Sequence, residues 1–183
     1  MNEPRTTLFE NPWVNVGQVP ADTPSGTHLS IRSGTGHGVL IIPVIDRDRY
    51  VLVTQPRPAA GMSSSIEFPR GGAAESSVEE ALRELVEETG LYPLQRPVRL
   101  HPLRQPVRLG TLRPDTGLLS TEVGVHLVDV DPAGLAIDHV EDEERVRRLP
   151  PVSRTEIDYL VRRGRITCSM TLAALALLDA HIR

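Results

Sequence analysis

The decapeptide ALRELVEETG, residues 81–90, constrains this chain more than any other stretch. Ala81, Leu82, Leu85 and Val86 recur at helical spacing, Ser77 with Glu80 has the form of a capping box, and Gly90 is a natural stop. The segment is therefore predicted to be an amphipathic α-helix. Val78, Leu82 and Leu85 are expected to anchor it, each contributing roughly 1.5–3 kcal/mol on burial. The opposite face is acidic and is expected to meet water: Glu80, Glu84 and Glu88 follow at i, i+4, Glu87 lies beside Glu84, and Arg83 stands among them. Two carboxylates ~4 Å apart repel by ~4 kcal/mol near a protein surface, and like charges one turn apart destabilise a helix. A divalent cation offsets that repulsion, and hard oxygen ligands from adjacent turns suit Mg²⁺ or Mn²⁺. For the helix taken alone, the alternative is a solvated acidic face.

Around this helix the 183 residues have the composition of one soluble globular domain with a real core. The formal net charge of -4 argues against a general nucleic-acid binder, which needs a basic surface. All 20 basic residues are Arg, so Lys-dependent phosphate loops and Schiff-base chemistry are excluded, whereas bidentate phosphate recognition by Arg is available. Cys168 is the only cysteine, which rules out an intrachain disulfide and a Cys-rich zinc site and fits a reducing cytoplasm. The six histidines lack HxxxH spacing. Cys168 reads as a packed thiol, since nothing nearby in sequence activates it. No signal-peptide core is expected at the N-terminus, and VLIIPVI and LAALALL are too short to span a bilayer.

Residues 1–36 read as an N-terminal arm with edge strands, and residues 37–183 as the main domain. Within the arm, NPWVNVGQV and THLSIRS are strand candidates. HGVLIIPVID and RYVLVTQ are predicted strands joined by a polar turn at Asp46–Asp48, and SIEFPRGG a brief strand entering a glycine loop. PVRLHPL and PVRLGTL nearly repeat, which fits edge strands, and TEVGVHLVDV alternates as a strand should. Two C-terminal helices, SRTEIDYLVRRG and SMTLAALALLDAHI, complete an α/β domain with a mixed sheet.

The stretch EFPRGGAAESSVEEALRELVEETGL resembles the Nudix box. Glu75, Arg83, Glu84, Leu85, Glu87, Glu88, Gly90 and Leu91 fit its latter part position by position, while three residues rather than five separate Gly71 from Glu75. VLVTQPRPAAG, PDTGLLS and EIDYLVRRGRITCSMTLAALAL are similar to the ADP-ribose pyrophosphatase branch of that family, although QPR replaces the usual aromatic between Gln and Arg. The resemblance implies a Nudix-type α/β/α sandwich and Mg²⁺-dependent cleavage of a nucleoside diphosphate linked to another group. It also implies homodimers whose N-terminal arms exchange, and a backbone carbonyl at Gly71 offered to the metal.

Pyrophosphate hydrolysis needs neutralised phosphate oxygens, a positioned water and a base. On this reading Glu84, Glu87 and Glu88 hold the metal, Arg83 orients the carboxylates, and Glu75 pairs with Arg83. Arg57 and Arg70 are candidates for phosphate contacts, with solvated surface arginines as the alternative. Trp13 either stacks on a base or anchors the arm on the sheet. A metal-bound carboxylate is a poor base, so the base is sought in the acidic cluster of residues 141–144, at Glu141 and then Glu144, because related enzymes bring a glutamate from a corresponding loop. The rivals are a nucleoside triphosphate sanitising pyrophosphatase and a catalytically silent nucleotide sensor.

Overall fold

The computed structural model describes residues 5–94, 106–141 and 145–182. Strands β1 (Thr6–Glu10), β2 (Val14–Pro20) and β3 (Thr27–Ser33) form an antiparallel meander, so the N-terminal arm is a small sheet of its own. The chain continues through β4 (His37–Ile45), β5 (Arg49–Tyr50), β6 (Val53–Arg57), β7 (Met62–Glu67), β8 (Arg70–Ala73) and α1 (Val78–Thr89). Then come β9 (Val107–Leu112), β10 (Glu122–Asp129), β11 (Val140–Glu141), β12 (Val146–Arg148), β13 (Val152–Ser153), α2 (Arg154–Arg162) and α3 (Ser169–Ile182). The PVRLHPL repeat copy lies outside the described residues.

The central sheet has the order β13-β5-β4-β10-β9, with β8 also pairing β4. Strands β4 and β10 run parallel, from His37 opposite Glu122 to Val44 opposite Asp129. Strand β4 reads as an unbroken apolar run because both of its faces are covered. Leu40, Ile42 and Val44 pack with Ile157 of α2 and Leu175 and Leu178 of α3, whereas Val39, Ile41 and Ile45 pack with Ala81 and Leu85 of α1. Pro43 cannot donate to a ladder, and it sits at a gap: β8 pairs β4 only as far as Leu40, and β5 begins at Val44.

The architecture is mixed α/β, with several sheets, more strand than helix, and three α-helices among the described residues. It corrects the expectation of one mixed sheet. RYVLVTQ is not a single strand: β5 stays in the central sheet, and β6 leaves it to pair with β7 and β12. The break falls at Val51 and Leu52, whose backbone groups bond to Pro43 and Leu149. No described helix is long and apolar enough to cross a membrane.

Helix α1 has the predicted ends, but only half of the expected capping box, since the Glu80 side chain accepts from Arg83 instead of returning to the Ser77 N–H. Ser77 accepts from the Glu80 N–H at 3.3 Å, and Gly90 adopts φ 65°, its N–H reaching the Val86 carbonyl. A side chain is strained at that backbone angle, which is why glycine ends the helix. The apolar face differs from expectation, since Ala81 and Leu85 are fully buried while Val78 and Leu82 are half-buried.

His126, on the α1 side of β10, is buried, and neither ring nitrogen has a hydrogen-bond partner among the described residues. Burial first, then the charge of Arg108, holds its pKa below the ordinary value, with the Ser76 backbone acting the other way without reaching hydrogen-bond geometry. The unfolded chain therefore protonates this ring at a higher pH than the folded chain does. Stability is expected to fall as pH drops below about 6.5 towards the folded pKa. Urea unfolding at several pH values should show a shallower fall for His126→Phe than for the wild type.

Candidate functional site

Glu84, Glu87 and Glu88 of α1, Glu141 of β11 and Gly71 of β8 line one cavity of about 520 Å³, together with Arg70 and Arg83. The acidic face of α1 is therefore not a solvated one throughout: Glu84 and Glu88 are only 9 % and 4 % exposed. Glu88 accepts from the Arg70 backbone N–H at 3.0 Å. Arg83 donates to Glu80 at 2.9 Å, Glu84 at 2.7 Å and Glu87 at 2.6 Å. Its expected partner Glu75 is exposed and is not among these, because the neighbouring residue Glu84 and those one helical turn away, Glu80 and Glu87, lie nearer than one preceding the helix. These hydrogen bonds raise the Arg83 pKa, that to Glu80 foremost and then that to Glu87.

The donor set suits a hard divalent cation, being oxygen-rich and acidic. Arg83 holds Glu84 and Glu87, however, and no three His, Cys, Asp or Glu side chains converge as a metal group among the described residues. Gly71 and Gly72 do not form the expected glycine loop; they lie in strand β8, opposite Val39 and Gly38. A Cβ at Gly71 would fall on the Glu84 carboxylate. Gly71→Ala must push that carboxylate aside, and because it is the end of a flexible side chain beside a cavity, the main loss is its hydrogen bond from Arg83, worth about 1 kcal/mol. The expected result is a lower urea midpoint and, if the cavity takes a cation, a smaller rise in Tm on adding Mg²⁺.

A second cavity of about 480 Å³ shares Arg70, Gly71 and Thr35 with the first and adds Trp13, Arg57 and Leu119. Both arginines are fixed by one residue that sequence reasoning missed. Arg57 donates Nε and a terminal nitrogen to the two Glu67 oxygens at 3.0 and 2.9 Å, and Arg70 donates Nε at 2.9 Å. Glu67 is 2 % exposed, and burial alone would raise its pKa. The Arg57 hydrogen bond, the Arg70 charge, a Ser65 hydrogen bond and the Arg57 charge together lower it to about 2. Two arginines on one carboxylate leave a net positive charge at the wall of the cavity, which can meet a phosphate. The sequence signal for Glu67 was an acidic residue between Ile66 and Phe68 in a strand, since a buried charge needs partners.

Trp13 is 78 % exposed at the rim of the second cavity, so it does not anchor the arm within its own chain. Leu119 belongs to the turn-rich loop before β10 and bridges to Ile31 of β3, which also lines the second cavity. Glu141 reaches the carboxylate cavity from β11, while Glu144 lies outside the described residues. Cys168 is a half-buried free thiol. Comparison with protein-family models gives no match to this chain, and comparison with curated proteins gives none either.

Proposed function

We propose that this protein is a Nudix-type pyrophosphohydrolase of the ADP-ribose pyrophosphatase kind. It would cleave the pyrophosphate bond of a nucleoside diphosphate derivative, ADP-ribose or a nucleotide sugar, into a nucleoside monophosphate and a phosphorylated product. The observation that carries the reading is one cavity lined by Glu84, Glu87, Glu88 and Glu141 that runs into another holding Arg57, Arg70 and Trp13. Helices on both faces of the central sheet support the Nudix-type sandwich.

Each residue then has a role. Mg²⁺ or Mn²⁺, bound through Glu84, Glu87 and Glu88 near Gly71, would supply charge neutralisation at the phosphates and a more acidic water. Arg83 keeps the carboxylates in place until they are engaged. Arg57 and Arg70, oriented by Glu67, hold the phosphates, and Trp13 offers a face for the base. Glu141 takes the proton of the attacking water as its oxygen bonds to phosphorus and the bridging P–O bond breaks. We read the protein as cytoplasmic and as a homodimer: Leu8 and Phe9, each 55 % exposed on the N-terminal sheet, gain cover on a second copy.

The Arg83 bridges to Glu84 and Glu87 favour a second reading, a nucleotide-binding sensor without turnover. A panel of ADP-ribose, nucleotide sugars and nucleoside triphosphates with Mg²⁺, scored for released monophosphate, separates the two. AMP release from ADP-ribose is the expected result. Binding of ADP-ribose with no product would overturn hydrolysis in favour of the sensor, and pyrophosphate release from triphosphates would move the protein to the sanitising class.

A further inference from the structure

The C-terminal end of α1 is held by a segment distant in sequence, and that segment carries Glu141. His139 Nε2 lies 2.7 Å from the Glu87 carbonyl oxygen. A carbonyl only accepts, so Nε2 carries the hydrogen. Arg148 donates to the Thr89 carbonyl at 2.7 Å, to the Gly134 carbonyl at 3.1 Å and to the Ile137 carbonyl. The last carbonyls of a helix lack intrahelical partners and carry partial negative charge, so donors from outside are favoured there. The His139 ring also packs on the helix stop: a Cβ at Gly90 would stand 2.6 Å from Nδ1. Gly90 is thus required for its backbone angle and for the room it leaves.

One residue separates His139 from Glu141, and in extended chain such residues point to the same side. Strand β11 is only two residues long and pairs β12 through Val140–Arg147 and Glu141–Val146, with one long backbone bond of 3.3 Å from the Arg148 N–H to the His139 carbonyl, a short ladder that ties β11 to β12 and not to α1. We infer that His139 is a positioning residue: by donating to the Glu87 carbonyl and packing on Gly90, it fixes Glu141 against the carboxylates of α1. The latch stands on geometry, while its effect on rate rests on the pyrophosphohydrolase reading above.

The test compares wild type, His139→Ala, His139→Gln and Glu141→Gln, all as full-length protein. Hydrogen–deuterium exchange at residues 140–141 and 146–148 reads the latch, and steady-state kinetics with ADP-ribose and Mg²⁺ read its consequence. For His139→Ala, exchange in that segment should rise about tenfold. Its kcat should fall about tenfold with KM nearly unchanged, since Arg83 and the Arg70 N–H still hold the α1 carboxylates while Glu141 loses its place at the reacting water. His139→Gln, which keeps a donor, should recover most of both. The proposal is overturned if His139→Ala leaves exchange within about twofold of wild type. It is equally overturned if kcat stays within about twofold while Glu141→Gln loses about a hundredfold. A wild type that turns over nothing sinks the hydrolase reading instead, and exchange alone then decides for or against the latch.

Discussion

Glu67→Gln is expected to lower the unfolding free energy by about 3 kcal/mol at neutral pH, which for a chain of this size lowers Tm by about 6–12 °C. The figure follows from a carboxyl whose folded pKa is about 2 against an ordinary 4.5, each pKa unit being worth about 1.4 kcal/mol. It agrees with the ~3–5 kcal/mol lost when one partner of a buried ion pair is removed. The pH dependence has a definite sign. The folded carboxyl binds its proton less tightly than the unfolded one, so the stabilisation is complete above about pH 4.5 and lost as pH falls towards about 2. Urea unfolding should therefore separate wild type from Glu67→Gln clearly at pH 7 and hardly at all near pH 2. Equal stabilities at pH 7 would mean that Arg57 and Arg70 do not depend on this carboxylate.

Glu141→Gln should lower kcat by about 10²–10⁴-fold, the usual contribution of a positioned general base. Affinity for substrate and the Mg²⁺-dependent rise in Tm should hardly change, because the base acts on the water alone. Glu84→Gln should behave differently, damaging both rate and cation-dependent stabilisation. Thermal melts in EDTA and in Mg²⁺, read beside the kinetics, distinguish the two roles. If Glu141→Gln keeps kcat within about threefold of wild type, less than a base is worth, the proton must go elsewhere.

The ends of α1 were legible because capping and stopping are local chemistry: Ser77 and Gly90 mark them with no help from the rest of the chain. The surroundings of its acidic face were not. Helical spacing says that Glu84 and Glu88 share a side, but only the packing shows strand β8 there, with Gly71 leaving space for the Glu84 carboxylate. Arg57, Arg70 and Trp13 could each be picked out by residue type, yet their meeting in one cavity depends on β6, β8 and the bend that leads into β2, three segments attached to three different sheets. Glu67 was passed over because its partners arrive from 10 residues before it and 3 after it. The split of RYVLVTQ into β5 and β6 also has a tertiary cause, the backbone bonds to Pro43 and Leu149. Strands as short as β11 and β13 carry no periodicity to read.

The parallel pairing of β4 with β10 joins segments that leave the ribosome far apart in time. During synthesis β4, β8 and the α1 segment emerge well before β10, so the carboxylates are present while β4 still lacks its central partner. Closing that long loop carries an entropic cost that local contacts do not repay, and parallel pairing across such distances is slow. Until it closes, the apolar edge of β4 is open to wrong partners. A nascent chain ending before Glu122 thus carries the α1 carboxylates, Arg57, Arg70 and Trp13 but neither His139 nor Glu141, so the site is complete only once β10 has paired with β4 and β11 has followed it.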